Sequence, residues 1–394
     1  MASAAEASPL THLTHRETRF QTEVRAFVRE HVSPRVFEMD RQEALSRELI
    51  ADLHGHNYMN IEIPGCYGGR DGSFFESVIA IEEFARVDPS VAVFVDVQNT
   101  LVNNAVSRWG DEAQKDVWLR GLARGTTGAF SITEKHAGSD AYALSATARR
   151  VEGGYVLNGE KHLVTNAAEA ETFIVYAKLE DPDAEDQLTA FLVNAPETPG
   201  LRILDREEKM GIRASSTCPL VFEDTFIPED QVLGRPGQGK QVALETLTDG
   251  RVGIAAQMAG LASGALDAAV AYAGERRQFG RRICDFQGVH FLLAELATSV
   301  EAARLLVYNA ARLRDQGRSQ GEYFKAASMA KYFAAEVAGK VTSRVLDIFS
   351  GAGYLKNTVA EKFYRDAKIG TIYEGTAHMQ LRSIAKMIIG FREQ

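Results

Sequence analysis

The chain has 394 residues, enough for two or three domain-sized units around large cores. Hydrophobic residues make up 45% and charged residues 25%, the ordinary mix of a soluble globular protein. A formal net charge of −9 argues against nucleic acid or an anionic membrane as partner, because either would want a basic surface.

The three cysteines, Cys66, Cys218 and Cys284, lie far apart with no CxxC spacing, which fits a reducing compartment and not a disulfide framework. No uninterrupted apolar run approaches the roughly 20 residues of a membrane helix. Met1 to Pro9 reads as a short lead, neither a secretory signal nor a clear transit peptide. Phe391-Arg392-Glu393-Gln394 is not a peroxisomal address. The expectation is a soluble intracellular protein, from a bacterial cytoplasm or a mitochondrial matrix.

In chain order, Glu17 to Arg124 carries a helical pattern with breaks at Ser33-Pro34, Pro64-Gly65 and Gly68-Gly69. Asp88-Pro89-Ser90 is a turn that restarts a helix, and the stretch around Glu82, Glu83 and Arg86 suits an amphipathic helix of roughly four turns. From Gly128 to Gly237 short β-rich runs take over: Tyr155 to Leu157, His162 to Thr165, Thr172 to Tyr176, Leu188 to Val193 and Leu220 to Phe226. Gly153-Gly154 and Asn158-Gly159 punctuate them as hairpin turns. These runs do not alternate with helices, so the expected middle unit is a small β-barrel or sandwich and not a parallel α/β sheet.

After Gln238 long helices return. Val289, Leu292, Leu293, Leu296, Val300, Ala303, Val307 and Ala310 fall at the three-and-four spacing of one buried face. A second long pattern covers Tyr323 to Phe349, and a last helix covers Thr376 to Gly390. The fold class is therefore mainly α with a central β-domain, divided as 1–127 (helical), 128–237 (β) and 238–394 (helical bundle).

Common chemical motifs are missing. There is no strand-linked GxGxxG, no Walker sequence, no GxSxG, and no HExxH or Cys/His zinc spacing among the nine histidines, so no metal is expected. The informative stretch is Arg365-Asp-Ala-Lys-Ile-Gly-Thr-Ile-Tyr-Glu-Gly-Thr376. Gly375 gives backbone freedom and Thr376 can cap the following helix, which puts Glu374 at a helix entrance behind an apolar Ile. From these residues alone two readings stay open. Glu374 either complements the helix dipole or, in a partly apolar cleft, works as a general base with a raised pKa.

The stretch resembles the base-bearing loop of the acyl-CoA dehydrogenase family. The similarity extends to Lys209-Met-Gly-Ile-Arg-Ala-Ser-Ser-Thr-Cys-Pro-Leu220, Gly250-Arg-Val-Gly-Ile-Ala-Ala-Gln-Met258, Arg276-Arg-Gln-Phe-Gly280, Asp285-Phe-Gln-Gly288 and Ala326-Ala-Ser-Met-Ala-Lys-Tyr332. A weaker likeness includes Ile81-Glu-Glu-Phe-Ala-Arg-Val-Asp-Pro-Ser90, so the whole spans roughly Phe20 to Ile389. Within the family the segments are most similar to the branch for short and 2-methyl-branched acyl groups.

The resemblance implies an FAD enzyme that removes the α-proton of an acyl-CoA with Glu374 and passes the β-hydride to flavin N5, giving a trans-2-enoyl-CoA. It implies flavin contacts from Phe130, Ser131, Ile132, Thr133, Gly138 and Ser139, and from Leu163, Val164 and Thr165. FAD contacts across a subunit boundary are implied for Arg276, Phe279 and Gln287, and for Asp347, Ile348, Phe349, Ser350 and Gly351. A further FAD contact is implied for Thr376, Ala377 and His378, which follow the base. Substrate contacts are implied for Ser139, Lys240, Thr248, Asp249, Gly250, Arg251, Tyr373 and Gly375. Some relatives carry their base directly before the arginine matching Arg251, where this chain has Gly250, so Glu374 is the carboxylate left. The expected partners are the acyl-CoA, an electron-transferring flavoprotein and further copies of the chain in a homotetramer.

The chain departs from its relatives at several points. Leu163 stands where many have Trp, and Lys135-His136 occupies a loop usually built from Pro or Ala, then Gly. Ser350 replaces Gly, Ala377-His378 replaces Ser with Gln or Asn, and Glu185 and Lys240 replace tyrosines. The alternatives kept are a carrier-protein-bound acyl substrate, an oxidase that uses O₂, and a non-catalytic scaffold.

Overall fold

The structure is a computed structural model that describes residues 9–180 and 187–390. Most of the N-terminal lead, Glu185 and the C-terminal tetrapeptide lie outside the described residues. Helices come first, then a sheet, then long helices again, in the order expected of the fold class.

The N-terminal helices form where capping residues begin them. Thr14 and Ser73 make capping boxes with Glu17 and Glu76 at the starts of His15–Phe27 and Phe74–Ala85. Asp88 accepts from the Ser90 N–H and Pro89 opens Pro89–Asp96. The Phe74–Ala85 helix corrects the expectation of an amphipathic helix with one polar face, since all twelve of its residues are buried. Its acids are paired from distant helices. Arg16 holds Glu76 at 2.8 Å, Arg25 holds Glu83 at 2.8 Å, and Arg304 and Tyr308 hold Glu82 at 2.7 and 2.8 Å.

The middle region is one eight-stranded sheet, named here β1 (Gly128–Ser131), β2 (Thr147–Val151), β3 (Gly154–Thr165), β4 (Thr172–Leu179), β5 (Leu188–Asn194), β6 (Leu201–Ile203), β7 (Thr217–Pro228) and β8 (Val232–Leu233). The path is β6-β7-β3-β2-β4-β5-β8, with β1 also on β4, and among the described residues only the β1–β4 and β2–β4 pairs are parallel. Gly153, at φ 79°, turns β2 into β3. Asn158-Gly159 is not the hairpin turn its chemistry suggests. β3 runs through it with a bulge, because Asn158 pairs with Asp224 on β7 and Gly159 adopts φ 139° against Ala146.

The helices Gly239–Glu275, Gln287–Asp315, Gln320–Phe349 and Ala377–Ile389 build the C-terminal bundle. Gly239–Glu275 is long and apolar enough by length and composition to cross a membrane, but 72% of its apolar window is buried inside the protein. The N- and C-terminal helices share one core, and the sheet has its own around Phe173, Phe191, Leu220 and Phe222. Lys362 joins all three regions. It is buried, at 2.9 Å from Asp88 and 2.7 Å from Asp366, and Asp366 accepts the Ile212 N–H at 2.6 Å.

Candidate active site

Glu374 sits in a tight connection between the turn Lys368–Thr371 and the helix Ala377–Ile389. Glu374 and Gly375 are both left-handed, at φ 50° and 83°. For a glutamate that conformation is strained, so its surroundings must hold it. They do so through the backbone. Lys331, fully buried, donates to the Gly375 carbonyl at 2.7 Å, and Gln380 donates to the Glu374 and Gly375 carbonyls at 2.9 and 3.0 Å. Thr376 then caps the next helix by accepting the Met379 N–H. Ala377 is half-buried and His378 is exposed.

The carboxyl group of Glu374 rests on Gly250 of the long helix. A Cβ at position 250 would stand 3.1 Å from Glu374 Oε2 and 2.7 Å from Leu101 Cδ2. Although the residue is only half-buried overall, Oε2 is enclosed and has no hydrogen-bond partner. Burial pushes this carboxyl up to about 7, against the opposing charges of Arg251 and Lys331. One turn further along the same helix face, a Cβ at Gly253 would collide with the carboxylate of Asp96, which is buried and accepts from Thr100 at 2.8 Å. Burial, with Glu374 adding to it, pushes Asp96 well above the usual carboxylate range.

Around this centre Tyr373 donates to Gln257, which donates in turn to the Pro89 carbonyl at 2.7 Å. Arg251 reaches Ser328 at 3.2 Å and lies 4.7 Å over the Phe324 ring, with its Nε enclosed and unpartnered. Asp249 is buried among Arg108 and Tyr323, both at 2.8 Å, and Arg314 and Asn104, both at 3.4 Å. Thr248 and the four partners of Asp249 border an open cleft of about 620 Å³ that also meets Arg318 and Gln320. Lys240 is exposed in the first turn of the long helix, roughly 15 Å along the axis from Gly250.

The strand group lies next to this centre. The π-helical segment Val97–Asn103 touches both, since Leu101 meets Gly250 and Val102 packs against Gly128 at the start of β1. Phe130, Ser131 and Ile132 are buried and Thr133 is half-buried. Ser131 Oγ is enclosed without a partner, as are the Tyr176 hydroxyl and Asn166 Oδ1 nearby. On β3, Val164 is buried, Thr165 half-buried, and Leu163 is 62% exposed at φ 57°. Gly138 and Ser139 are exposed in the loop after β1. The buried pair Glu134–Lys161, at 2.8 Å, pins that loop together with the N–H groups of Ser145 and Ala146. Burial works against the Glu134 charge, yet Lys161 and the Ser145 N–H outweigh it and hold the carboxyl down at about 2. An apolar wall edged by unmatched hydroxyls fits a flat heteroaromatic ring with a polar rim.

A second group does not join this centre. Arg276 and Gln287 are exposed, Phe279 is 93% exposed, and the helix end Asp347–Gly351 lies beside them through the stacking of Tyr272 on Phe349 at 4.2 Å. Asp347, Ser350 and Gly351 are exposed, Ile348 is buried and Phe349 is half-buried. Gly250 and Arg276 are separated by most of one helix, roughly 40 Å.

Lys331, Gln380, Asp96 and Gln257 were not singled out by sequence. Lys331 falls inside the stretch Ala326–Tyr332 that carries part of the resemblance, which was the one signal available for it. Among the described residues, no group of three or more His, Cys, Asp or Glu side chains is placed to hold a metal ion.

The fold and this site define an acyl-CoA dehydrogenase: the chain belongs to that family. The family's N-terminal, middle and C-terminal domains match residues 14–126, 129–225 and 237–389. More particularly, the chain is 47% identical over 381 residues to the rat mitochondrial short/branched chain specific acyl-CoA dehydrogenase, covering 97% of this chain and 87% of that one. Butyryl-CoA dehydrogenase from Megasphaera elsdenii superposes with a TM-score of 0.92 at 36% identity, covering 96% and 99%. A chain from work on the electron transferring flavoprotein of Acidaminococcus fermentans gives 0.93 at 38%, with the same coverage.

Proposed function

We propose that this chain dehydrogenates short or branched-chain acyl-CoA thioesters at the α,β bond with Glu374 as the base, giving the trans-2-enoyl-CoA. The observation that carries the assignment is the enclosed, unpartnered Oε2 of Glu374 resting on a glycine. A carboxyl at about 7 is ionised in useful amount near neutrality and still basic enough to take a weakly acidic proton. Arg251 and Lys331 offset its burial, and Leu101 meets the same glycine that the carboxyl rests on. The Glu374 N–H is the donor assigned to the thioester carbonyl, where negative charge develops as the proton leaves.

Solved members of the family hold FAD or FADH₂, and bound FAD supplies the acceptor for the β-hydride, chemistry outside the reach of side chains. The residues that would line its ring are Phe130–Thr133 and Leu163–Thr165. The distant exposed group at Arg276, Phe279, Gln287 and Asp347–Gly351 supports a site completed by another copy of the chain, and hence a homotetramer. Thr248, Arg251 and Tyr373 are assigned to the acyl-CoA, with Lys240 at the outer end. The three stretches 1–127, 128–237 and 238–394 are proposed as domains. An electron-transferring flavoprotein is the proposed acceptor, and the unpaired state of Cys66, Cys218 and Cys284 supports a reducing compartment.

Anaerobic addition of butyryl-CoA and 2-methylbutyryl-CoA tests the reading. The flavin absorbance should bleach, at a rate that rises with pH through about 7 because the acting form of Glu374 is the carboxylate. No bleaching by any acyl-CoA, with FAD bound, refutes it.

A further inference from the structure

The base does not hold itself in place. Two consecutive left-handed residues form its loop, and the Gly375 carbonyl points inward, where an unmatched acceptor would be costly. The group that meets it is an ammonium. Lys331 comes from the middle of the helix Gln320–Phe349, is fully buried, and places Nζ 2.7 Å from that carbonyl. A neutral amide already contacts the same loop from the other side, through Gln380. Backbone satisfaction alone therefore does not call for a buried charge, which is expensive unless something nearby uses it.

We propose that Lys331 is a positioning residue for the dehydrogenation: it fixes the left-handed base loop through the Gly375 carbonyl and supplies the counter-charge that keeps Glu374 an available carboxylate. The inference rests on Glu374 being the base. The charged and titratable groups facing Glu374 are Arg251 from the long helix, Lys331 from Gln320–Phe349, Asp96 from the N-terminal helices and Tyr373 from its own loop. Arg251 is also engaged with Ser328 and Phe324, and neither Asp96 nor Tyr373 carries a positive charge, so Lys331 is the cation tied to the loop itself. Burial brings Lys331 down to about 8, with Glu374 pulling the other way. Each group therefore favours the charged form of the other. When Glu374 accepts the proton, Lys331 loses part of its support.

A cation near Glu374 lowers its pKa, so removing that charge raises the acid limb of the pH profile. K331M, K331Q and K331R are compared with the parent and E374Q by anaerobic flavin reduction between pH 6 and 9, with thermal melting and FAD content measured alongside. K331Q keeps a donor for Gly375 without charge, and K331R keeps the charge. The expected result is an acid limb about one pH unit or more higher in K331M and K331Q, with restoration in K331R. If K331M does not fold, the K331Q and K331R pair decides. An unshifted limb in K331Q while E374Q is inactive overturns the role of Lys331 and leaves the base assignment standing. Normal reduction by E374Q overturns both.

Discussion

The two ends of the long helix Gly239–Glu275 are built on opposite terms. Near Gly250 the charged groups are enclosed at the edge of a cleft: a carboxyl oxygen on a glycine, a buried lysine at the loop, a second buried acid one turn away. Near Arg276 the chain presents Phe279 to solvent with arginines on either side of it, and Arg281 stacks 3.9 Å over Phe286. Proton transfer needs a shifted pKa, and burial produces one, so one copy of the chain can build that apparatus alone. Apolar and cationic groups left at the surface have no such use within the same copy. They suit a surface completed by another molecule.

The sharpest break in this comparison comes from E374Q. It should keep the yellow flavin and lose about a thousandfold or more in anaerobic bleaching by butyryl-CoA, since it removes the proton acceptor and leaves the shape. K362M tests enclosure without chemistry. Stripping the lysine from Asp88 and Asp366 leaves two buried acids unpaired, which should cost about 3–5 kcal/mol in denaturant unfolding. Gly250→Ala is gentler, adding a methyl 2.7 Å from Leu101 and 3.1 Å from Glu374. Displacing the base should slow flavin reduction by about tenfold to a hundredfold with FAD content unchanged. At the exposed end, Phe279→Asp should weaken assembly in size-exclusion chromatography and FAD retention by about tenfold or less. Flavin reduction in the FAD-saturated protein should stay within about twofold, provided the two ends are separate as described.

The difference between the ends also explains what could be read in the sequence. Order of elements was legible because three-and-four spacing and short alternating runs report burial directly. Glu374 could be singled out because its loop is contiguous, while the choice between a helix-dipole partner and a base came from the family resemblance. Lys331 and Asp96 meet Glu374 from 43 residues upstream and from a different helical region, and nothing local in their segments marks a buried charge. The Phe74–Ala85 helix looked amphipathic because Glu76, Glu82 and Glu83 are charged, while the arginines that allow their burial lie as far away as Arg304. Asn158-Gly159 looked like a turn because the same left-handed tolerance that closes a hairpin also permits a bulge.

The left-handed glutamate has a consequence for how the protein balances durability against turnover. Asparagine tolerates that backbone better and would leave no carboxylate to desolvate. Glu374→Asn should therefore melt at a higher temperature than the parent, by an amount corresponding to about 1 kcal/mol. Folding energetics on their own would discard this side chain, so what retains it is the proton abstraction proposed for it.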